Sequence, residues 1–274
     1  MSHGHTLITG AFGKVGTALA DLPGDKVLMD AAVPAGQPHA VQGYVQDEAI
    51  LAQALQGCRA IVHLAASPAV DSSWSQVQEH NVAAMHTLLE AARAHGVERV
   101  IFASTNHTVG MVELENAPHI YEAGHGIMLT KHAEPRPDSY YGVSKLLGEN
   151  LGRYYAEHGG PRFYALRIGS LHAAEHDHPY AEAEGLLRAG ACTRGDAMYE
   201  LKVRRQKALW LSRRDALQLV ARCLEYDGPA FDIFYGVSNN DARWLDIEYA
   251  RQQLGYQPQD NGAEWQARPQ GASA

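Results

Sequence analysis

A short apolar run, Thr6-Leu7-Ile8-Thr9, leads straight into Gly10-Ala11-Phe12-Gly13-Lys14-Val15-Gly16. Nothing else in the chain restricts its fold as strongly. Three glycines spaced three apart allow a tight turn after a strand. They also let backbone N–H groups come close to a pyrophosphate where a helix begins. A second apolar run, Lys26-Val27-Leu28-Met29, ends in Asp30, 20 residues after Gly10. A carboxylate at that distance suits the ribose hydroxyls of an adenosine and repels a 2′-phosphate. Ala31 and Ala32 offer no arginine to receive such a phosphate, so the cofactor expected is NAD rather than NADP.

The chain then keeps the rhythm such a turn requires. Apolar runs at 7–10, 27–30, 40–45, 60–65, 100–104 and 163–168 alternate with helical stretches at 14–19, 47–55, 74–95 and 139–158. Strands apolar on both faces belong to a parallel sheet covered by helices on both sides. The fold class expected is α/β, a doubly wound parallel sheet of the Rossmann type with a small C-terminal substrate lobe. Residues 1–168 are expected to form the nucleotide-binding core and 169–274 the lobe or lid, with core elements returning at 212–237, all in one structural unit. Residues 110–137 read as a long loop and 169–210 as an insertion rich in Glu, His and Arg. A helix at 215–226, a strand at 231–236 and a short helix at 244–254 follow.

Composition narrows the partners. A net charge of −8 provides no basic field for nucleic acid. Gly10, Lys14 and Asp21 interrupt the apolar start, so neither a leader nor a membrane span is expected. Cys58, Cys192 and Cys223 are scattered, as reduced, buried thiols of a cytoplasmic protein would be. His3, His5 and the His176-Asp177-His178 run read as loop histidines on a polar surface, so no metal is expected.

The chemistry is expected at the carboxyl edge of the sheet. Two strands end there, in His63-Leu64-Ala65-Ala66-Ser67 and in Ser104-Thr105-Asn106-His107. The helix after the long loop carries Tyr141-Gly142-Val143-Ser144-Lys145. A tyrosine and a lysine four residues apart share one helix face. An ammonium beside a phenol favours the phenolate, which lets the tyrosine take a proton near neutral pH.

Taken in order, the glycine run, His63-Leu64-Ala65-Ala66, Asn81 in the next helix, Thr105 and the Tyr141/Lys145 pair resemble an extended short-chain dehydrogenase/reductase of the NAD-dependent epimerase/dehydratase family. The resemblance covers nearly the whole chain. It implies that Gly10, Phe12, Gly13, Lys14, Val15, Gly16, Asp30, Leu64, Ala65, Ala66, Asn81, Tyr141 and Lys145 bind the cofactor. It also implies that Thr105 and Tyr141 hydrogen-bond the reacting hydroxyl, while Lys145 holds the nicotinamide ribose and lowers the tyrosine pKa. Bringing a phenol from about 10 towards 7 takes roughly 4 kcal/mol, to be supplied by the lysine and an oxidised nicotinamide.

A dehydratase of this family carries an acidic pair after the threonine; Asn106-His107 has no carboxylate. About a hundred residues follow the sixth strand, which suits a small substrate better than a sugar nucleotide. Within the family, stretches 102–110, 141–145, 166–170 and 235–241 resemble uronate dehydrogenases and related NAD-dependent aldose and sugar-phosphate dehydrogenases. That implies oxidation at C1 of a cyclic sugar, first of all a hexuronate, to its lactone, with Tyr141 as general base. Ser67, Asn106, His107 and Ser170 would bind ring hydroxyls. Arg205, five residues ahead of Trp210, would pair with the sugar carboxylate in bidentate fashion. Lys202, Arg204 and Lys207 surround it, a cluster equally suited to the phosphate of a sugar 6-phosphate. A neutral aldose 1-dehydrogenase and a sugar-nucleotide epimerase with retained NAD are the alternatives. Tyr44 stands where relatives carry an aspartate near the adenine, and it can stack on that ring instead. A homo-oligomer through helices 74–95 and 139–158 is expected by analogy.

Overall fold

In the computed structural model, which describes residues 4–265, seven strands form one parallel sheet in the order β3-β2-β1-β4-β5-β6-β7. Its strands are β1 (His5–Thr9), β2 (Lys26–Asp30), β3 (Val41–Gln42), β4 (Cys58–His63), β5 (Arg99–Thr105), β6 (Arg162–Ile168) and β7 (Phe231–Gly236). The order reverses between β1 and β4, which leaves a crevice beyond their carboxyl ends. His3 lies outside the described residues.

Two-residue periodicity sorts each buried strand onto both layers. Leu7, Ile61, Val100 and Phe163 pack with Met85, Leu88 and Leu89 on one face. Their neighbours Ile8, Val62, Ile101 and Tyr164 pack with Leu219, Val220, Cys223 and Trp244 on the other. This is why the strands read as unbroken apolar runs. All three cysteines are buried and free. No helix among the described residues is long and apolar enough to cross a membrane.

The helices are α1 (Lys14–Ala18), α2 (Glu48–Ala54), α3 (Trp74–Val77), α4 (Ala84–Ala94), α5 (Gly110–Asn116), α6 (Tyr140–Glu157), α7 (Ala181–Arg188), α8 (Ala197–Leu209), α9 (Arg213–Glu225) and α10 (Glu248–Leu254). A widened π turn, Gln78–Ala83, joins α3 to α4. Side-chain caps fix several starts: Asp47 accepts from Ala49 and Ile50 N–H at 3.1 Å, and Ser139 from Gly142 N–H at 3.1 Å.

Four expectations need correction. Only Val41 and Gln42 of the 40–45 run join the sheet, because Gly43 turns the chain away after its N–H bonds Asp30 O at 3.0 Å. The 110–137 loop opens with α5 and is fastened further on, where Lys131 meets Asp232 at 2.7 Å and Leu129 bridges to Leu245. That bridge keeps Trp244 and Leu245 extended, so the last helix starts at Glu248 rather than 244. The 169–210 insertion folds into α7 and α8 around an apolar cluster of Ala183, Cys192, Tyr199 and Val203. Its two ends meet where Ser170 bridges to Trp210.

Candidate active site

A cavity of about 1160 Å³ runs along the carboxyl edge of the sheet. Its long axis is divided between two chemistries. At one end the wall is the turn from Gly10 to Gly16, with Asp30, Tyr44 and the Leu64-Ala65-Ala66 segment. Gly10 has φ +67°, and a Cβ there would sit 2.7 Å from Ala65 N, so only glycine lets the two loops close on each other. Thr9 Oγ1 ties the loops together, lying 2.8 Å from His63 Nδ1 and accepting from Leu64 N–H at 3.3 Å. The first turn of α1 carries no side-chain cap, so no side chain claims its leading N–H groups at the cavity wall. Asp30 accepts Phe12 N–H at 2.9 Å and Ala32 N–H at 3.2 Å, which orients its carboxylate. Tyr44 is 59% exposed and its ring stacks on His80 with centroids 6.0 Å apart. This bare backbone cradle beside an oriented acid fits a dinucleotide diphosphate and its adenosine ribose.

Thr105, Asn106, His107 and Tyr141 line the other end, with Ser67, Ser170, His172 and Arg205 around them. The Nδ2 of Asn106 is buried without a partner in the protein, which leaves a donor for a bound molecule. His107 lies edge-on to the Tyr141 ring with centroids 6.0 Å apart, and its Nδ1 is 2.7 Å from Asp138 Oδ2. Burial pushes the Asp138 carboxyl up, but hydrogen bonds from His107 and Ser139 outweigh it and hold it below the usual carboxylate range.

Helix α6 is locked from behind. Glu149 and Arg167 form a fully buried bidentate pair at 2.8 and 2.9 Å, and Ser104 donates to Glu149 at 2.5 Å. Ser104 adjoins Thr105 on β5, so one ion pair registers both the Tyr141 helix and the Thr105 strand. Removing one partner of such a pair leaves a naked buried charge.

Lys145 and Asn81 do not reach the cavity wall. Lys145 is buried, with Nζ 4.6 Å from the Phe102 ring centroid and 5.8 Å from that of Tyr141. Burial pushes its ammonium down to about 7. The same exclusion of water pushes the Tyr141 phenol up to about 12, against the pull of a Thr105 hydrogen bond. The lysine therefore does not by itself lower the tyrosine as expected. Neighbouring His63 is held neutral, pushed down to about 3 by burial and then by Lys145. Asn81, expected against the cofactor, has its amide engaged within the protein. It accepts Ser67 N–H at 2.7 Å and donates to Ser67 O at 3.2 Å and Ser144 Oγ at 2.8 Å. It thus pins the Ser67 loop to α6, and the π turn is what carries it there.

The expected cation cluster is neutralised. Arg205 pairs through Nε and Nη2 with Glu113 at 2.5 and 3.2 Å, and Tyr121 donates to the same carboxylate at 2.7 Å. Lys202 meets Glu182 at 2.5 Å, Arg204 lies 4.0 Å from Glu122, and Lys207 sits over the Tyr180 ring. Charges packed this closely against a helix need partners. Arg205 Nη1 lies 3.9 Å from Glu182, and both residues line the cavity. Sequence reasoning missed Glu113 and Asp138, which hold Arg205 and His107, and the cavity-lining His172, Glu182 and Gln206. Asp138 had a signal, since it directly precedes the cap of the tyrosine helix; Glu113 had none. Among the described residues no cluster could hold a metal, and Asp177 instead accepts Trp210 Nε1–H at 3.1 Å and Arg213 N–H at 3.0 Å.

A doubly wound sheet with a glycine cradle at its switch point, and beside it a cavity-lining tyrosine one turn from a buried lysine, defines a short-chain dehydrogenase/reductase. A model of the "NAD dependent epimerase/dehydratase family" matches residues 6–233. The chain belongs to that family. It is 36% identical over 271 residues to the NAD-dependent glucose-6-phosphate dehydrogenase of Haloferax volcanii, covering 94% of each chain. To the L-arabinose 1-dehydrogenase (NAD(P)(+)) of the same organism it is 36% identical over 80% of this chain and 81% of the relative. Its structure is similar to that of a uronate dehydrogenase mutant from Agrobacterium tumefaciens complexed with NAD, with TM-score 0.72 and 29% identity over 95% of this chain and 86% of that one. The protein is an NAD-dependent sugar dehydrogenase related to these enzymes.

Proposed function

We propose that this enzyme oxidises C1 of a cyclic sugar to the lactone, with Tyr141 as the general base. The observation that carries this reading is the convergence of Thr105, Asn106, His107 and Tyr141 at one end of a cavity whose other end is the glycine cradle and Asp30. Gly10, Gly13, Gly16 and Asp30 would hold NAD, which when bound supplies the hydride acceptor and a positive charge in the site. Thr105 and Tyr141 hydroxyls share the O1 proton, and Tyr141 removes it as the C1–H bond breaks. A phenol at about 12 is a poor base at neutral pH in the cofactor-free protein, so ionisation is tied to cofactor binding. Burial lowers the Lys145 ammonium to about 7, with its Nζ 5.8 Å from the centre of the Tyr141 ring.

For the sugar, an anion at C6 is the first reading. A hexuronate carboxylate would meet Arg205 at Nη1, which Glu113 does not engage and which lies 3.9 Å from Glu182. The second reading is a sugar 6-phosphate. It is favoured by whole-length similarity to a glucose-6-phosphate dehydrogenase and by Arg205 and Gln206 of α8 at the cavity wall, while the charge of Glu182 beside them opposes it. Purified enzyme with NAD is offered glucuronate, galacturonate, glucose 6-phosphate, glucose and arabinose, and NADH is followed. NADH with an acidic sugar supports the reading; a neutral aldose as best substrate removes the anion from it. No NADH with any of them, or isomerisation of a sugar nucleotide without net NADH, would overturn it.

A further inference from the structure

We infer that Asp138 is a positioning residue that fixes His107 in one tautomer, with Nε2 presented to the cavity as a hydrogen-bond acceptor for a sugar hydroxyl next to the oxidised carbon. This rests on the reading of the site as a sugar pocket.

Asp138 and His107 lie 31 residues apart and meet at 2.7 Å, through Oδ2 and Nδ1. A carboxylate only accepts, so Nδ1 must carry the proton, and in the neutral imidazole Nε2 keeps its lone pair. Nε2 has no protein partner among the described residues, and His107 lines the cavity. A sugar hydroxyl is the group that an unpaired acceptor there would take. Asn106, one residue before, supplies the complementary donor through its unpartnered Nδ2.

The carboxylate is itself held. Its other oxygen accepts the Ser139 hydroxyl at 2.9 Å, and Ser139 Oγ in turn accepts Gly142 N–H at 3.1 Å as the cap of α6. One chain of hydrogen bonds thus runs from the first turn of the Tyr141 helix to the imidazole. The backbone makes room for it: a Cβ on Gly110 would collide with the Asp138 carboxylate, and one on Gly142 would lie 2.5 Å from His107 O. The imidazole and the phenol are therefore set relative to each other by the same helix start. Thr105 and Tyr141 address the reacting oxygen, and His107, beside the Tyr141 ring, addresses its neighbour.

In Asp138→Asn, Ser139 still donates to the amide oxygen. The amide NH₂ then faces Nδ1 and drives the proton to Nε2, which turns the acceptor into a donor. The tautomer is read directly in the wild-type enzyme by ¹⁵N NMR of His107, assigned with His107→Gln. An unprotonated Nε2 is expected, and a protonated Nε2 in the neutral ring overturns the inference. Kinetics with the best sugar and its 2-deoxy analogue form the second arm. The wild type should lose about 10-fold or more in kcat/KM on removal of that hydroxyl. Asp138→Asn should raise the KM of the parent sugar by a similar factor, change kcat little, keep NAD affinity and discriminate the deoxy analogue hardly at all. Equal discrimination by variant and wild type would sink the idea. Should the variant not fold, the NMR of the wild type still decides. Failure of every aldose to yield NADH would instead refute the sugar reading and leave the tautomer measurement standing.

Discussion

The two ends of the cavity are built in opposite ways. At the nucleotide end the wall is mostly backbone from one contiguous turn, and a single acid, Asp30, is oriented by two N–H groups within two residues and one loop of it. At the other end, where we place the sugar, the wall is side chains drawn from α6, α7, α8 and the ends of β5 and β6. These are set in place by long-range pairs: Arg205 with Glu113, Lys202 with Glu182, His107 with Asp138, and His172 with Gln206 at 3.0 Å. A backbone cradle tolerates drift in its surroundings and serves one cofactor. A lattice of paired side chains can be rewired one pair at a time, which is what a family with many sugar substrates requires.

Breaking the chemistry that both ends serve has the largest effect. Tyr141→Phe should lower kcat by about 10³-fold with NAD affinity unchanged, because only the proton acceptor is lost. Steady-state NADH formation and NAD titration check this, and retention of full activity would refute the mechanism. Next in size is the seam between the ends, where His63 touches Thr9. Its folded pKa near 3 lies below the ordinary 6.5, so in the intervening range the unfolded chain binds a proton that the folded chain refuses. Stability from this group is therefore complete above pH 6.5 and falls as pH drops towards 3, by about 5 kcal/mol at the acid limit. Urea denaturation at pH 6.5 and 5 should show that fall, and His63→Gln should flatten it.

Arg205→Ala tests the paired end. It leaves the buried Glu113 carboxylate without its cation and should cost about 2 kcal/mol in stability, less than a fully enclosed pair because Arg205 keeps some exposure. The KM for an anionic sugar should rise while NAD affinity stays put. An unchanged KM would remove Arg205 from the substrate site. Asp30→Asn tests the other end with the smallest expected effect, a weakening of NAD binding by about 10-fold and no change in the sugar KM at saturating NAD. The two effects should add in the double variant, since the sites share no partner. Coupling between them would break the division of the cavity proposed here.

That division also decides what the sequence could disclose. The glycine turn, Asp30 and the strand rhythm are local, so the sheet, its switch point and the meeting of that turn with Asp30 were readable from short windows. Tyr141 and Thr105 were readable because strand ends and helix starts of this fold meet at one edge. The charge state of the Arg205 region was not. The acids that pair with three of its cations stand at 113, 122 and 182, and sequence shows four cations within six residues with no sign of what faces them. The phenol likewise looked tuned by Lys145 because spacing shows proximity, whereas the exclusion of water that raises Tyr141 and lowers Lys145 is a property of packing. Asn81 was legible as a polar residue in the right helix, but its amide turned out to hold Ser67 because a π turn shifts where that residue points.

The insertion that carries α7 and α8 leaves and rejoins the sheet edge at neighbouring points. Ser170 N–H bonds Leu209 O at 2.8 Å, and Leu211 N–H bonds Ser170 O at 2.8 Å. Its interior has its own apolar cluster, separate from the two main layers. Closing a loop between fixed, adjacent ends grows only slowly more costly with length. Residues 181–203, whose apolar contacts are largely their own, can thus change length at little cost to the sheet, whereas Arg205, Ala208 and Leu209 are tied to the rest of the protein. A graft there would alter the wall beside Glu182 while leaving the glycine turn and Asp30 as they are.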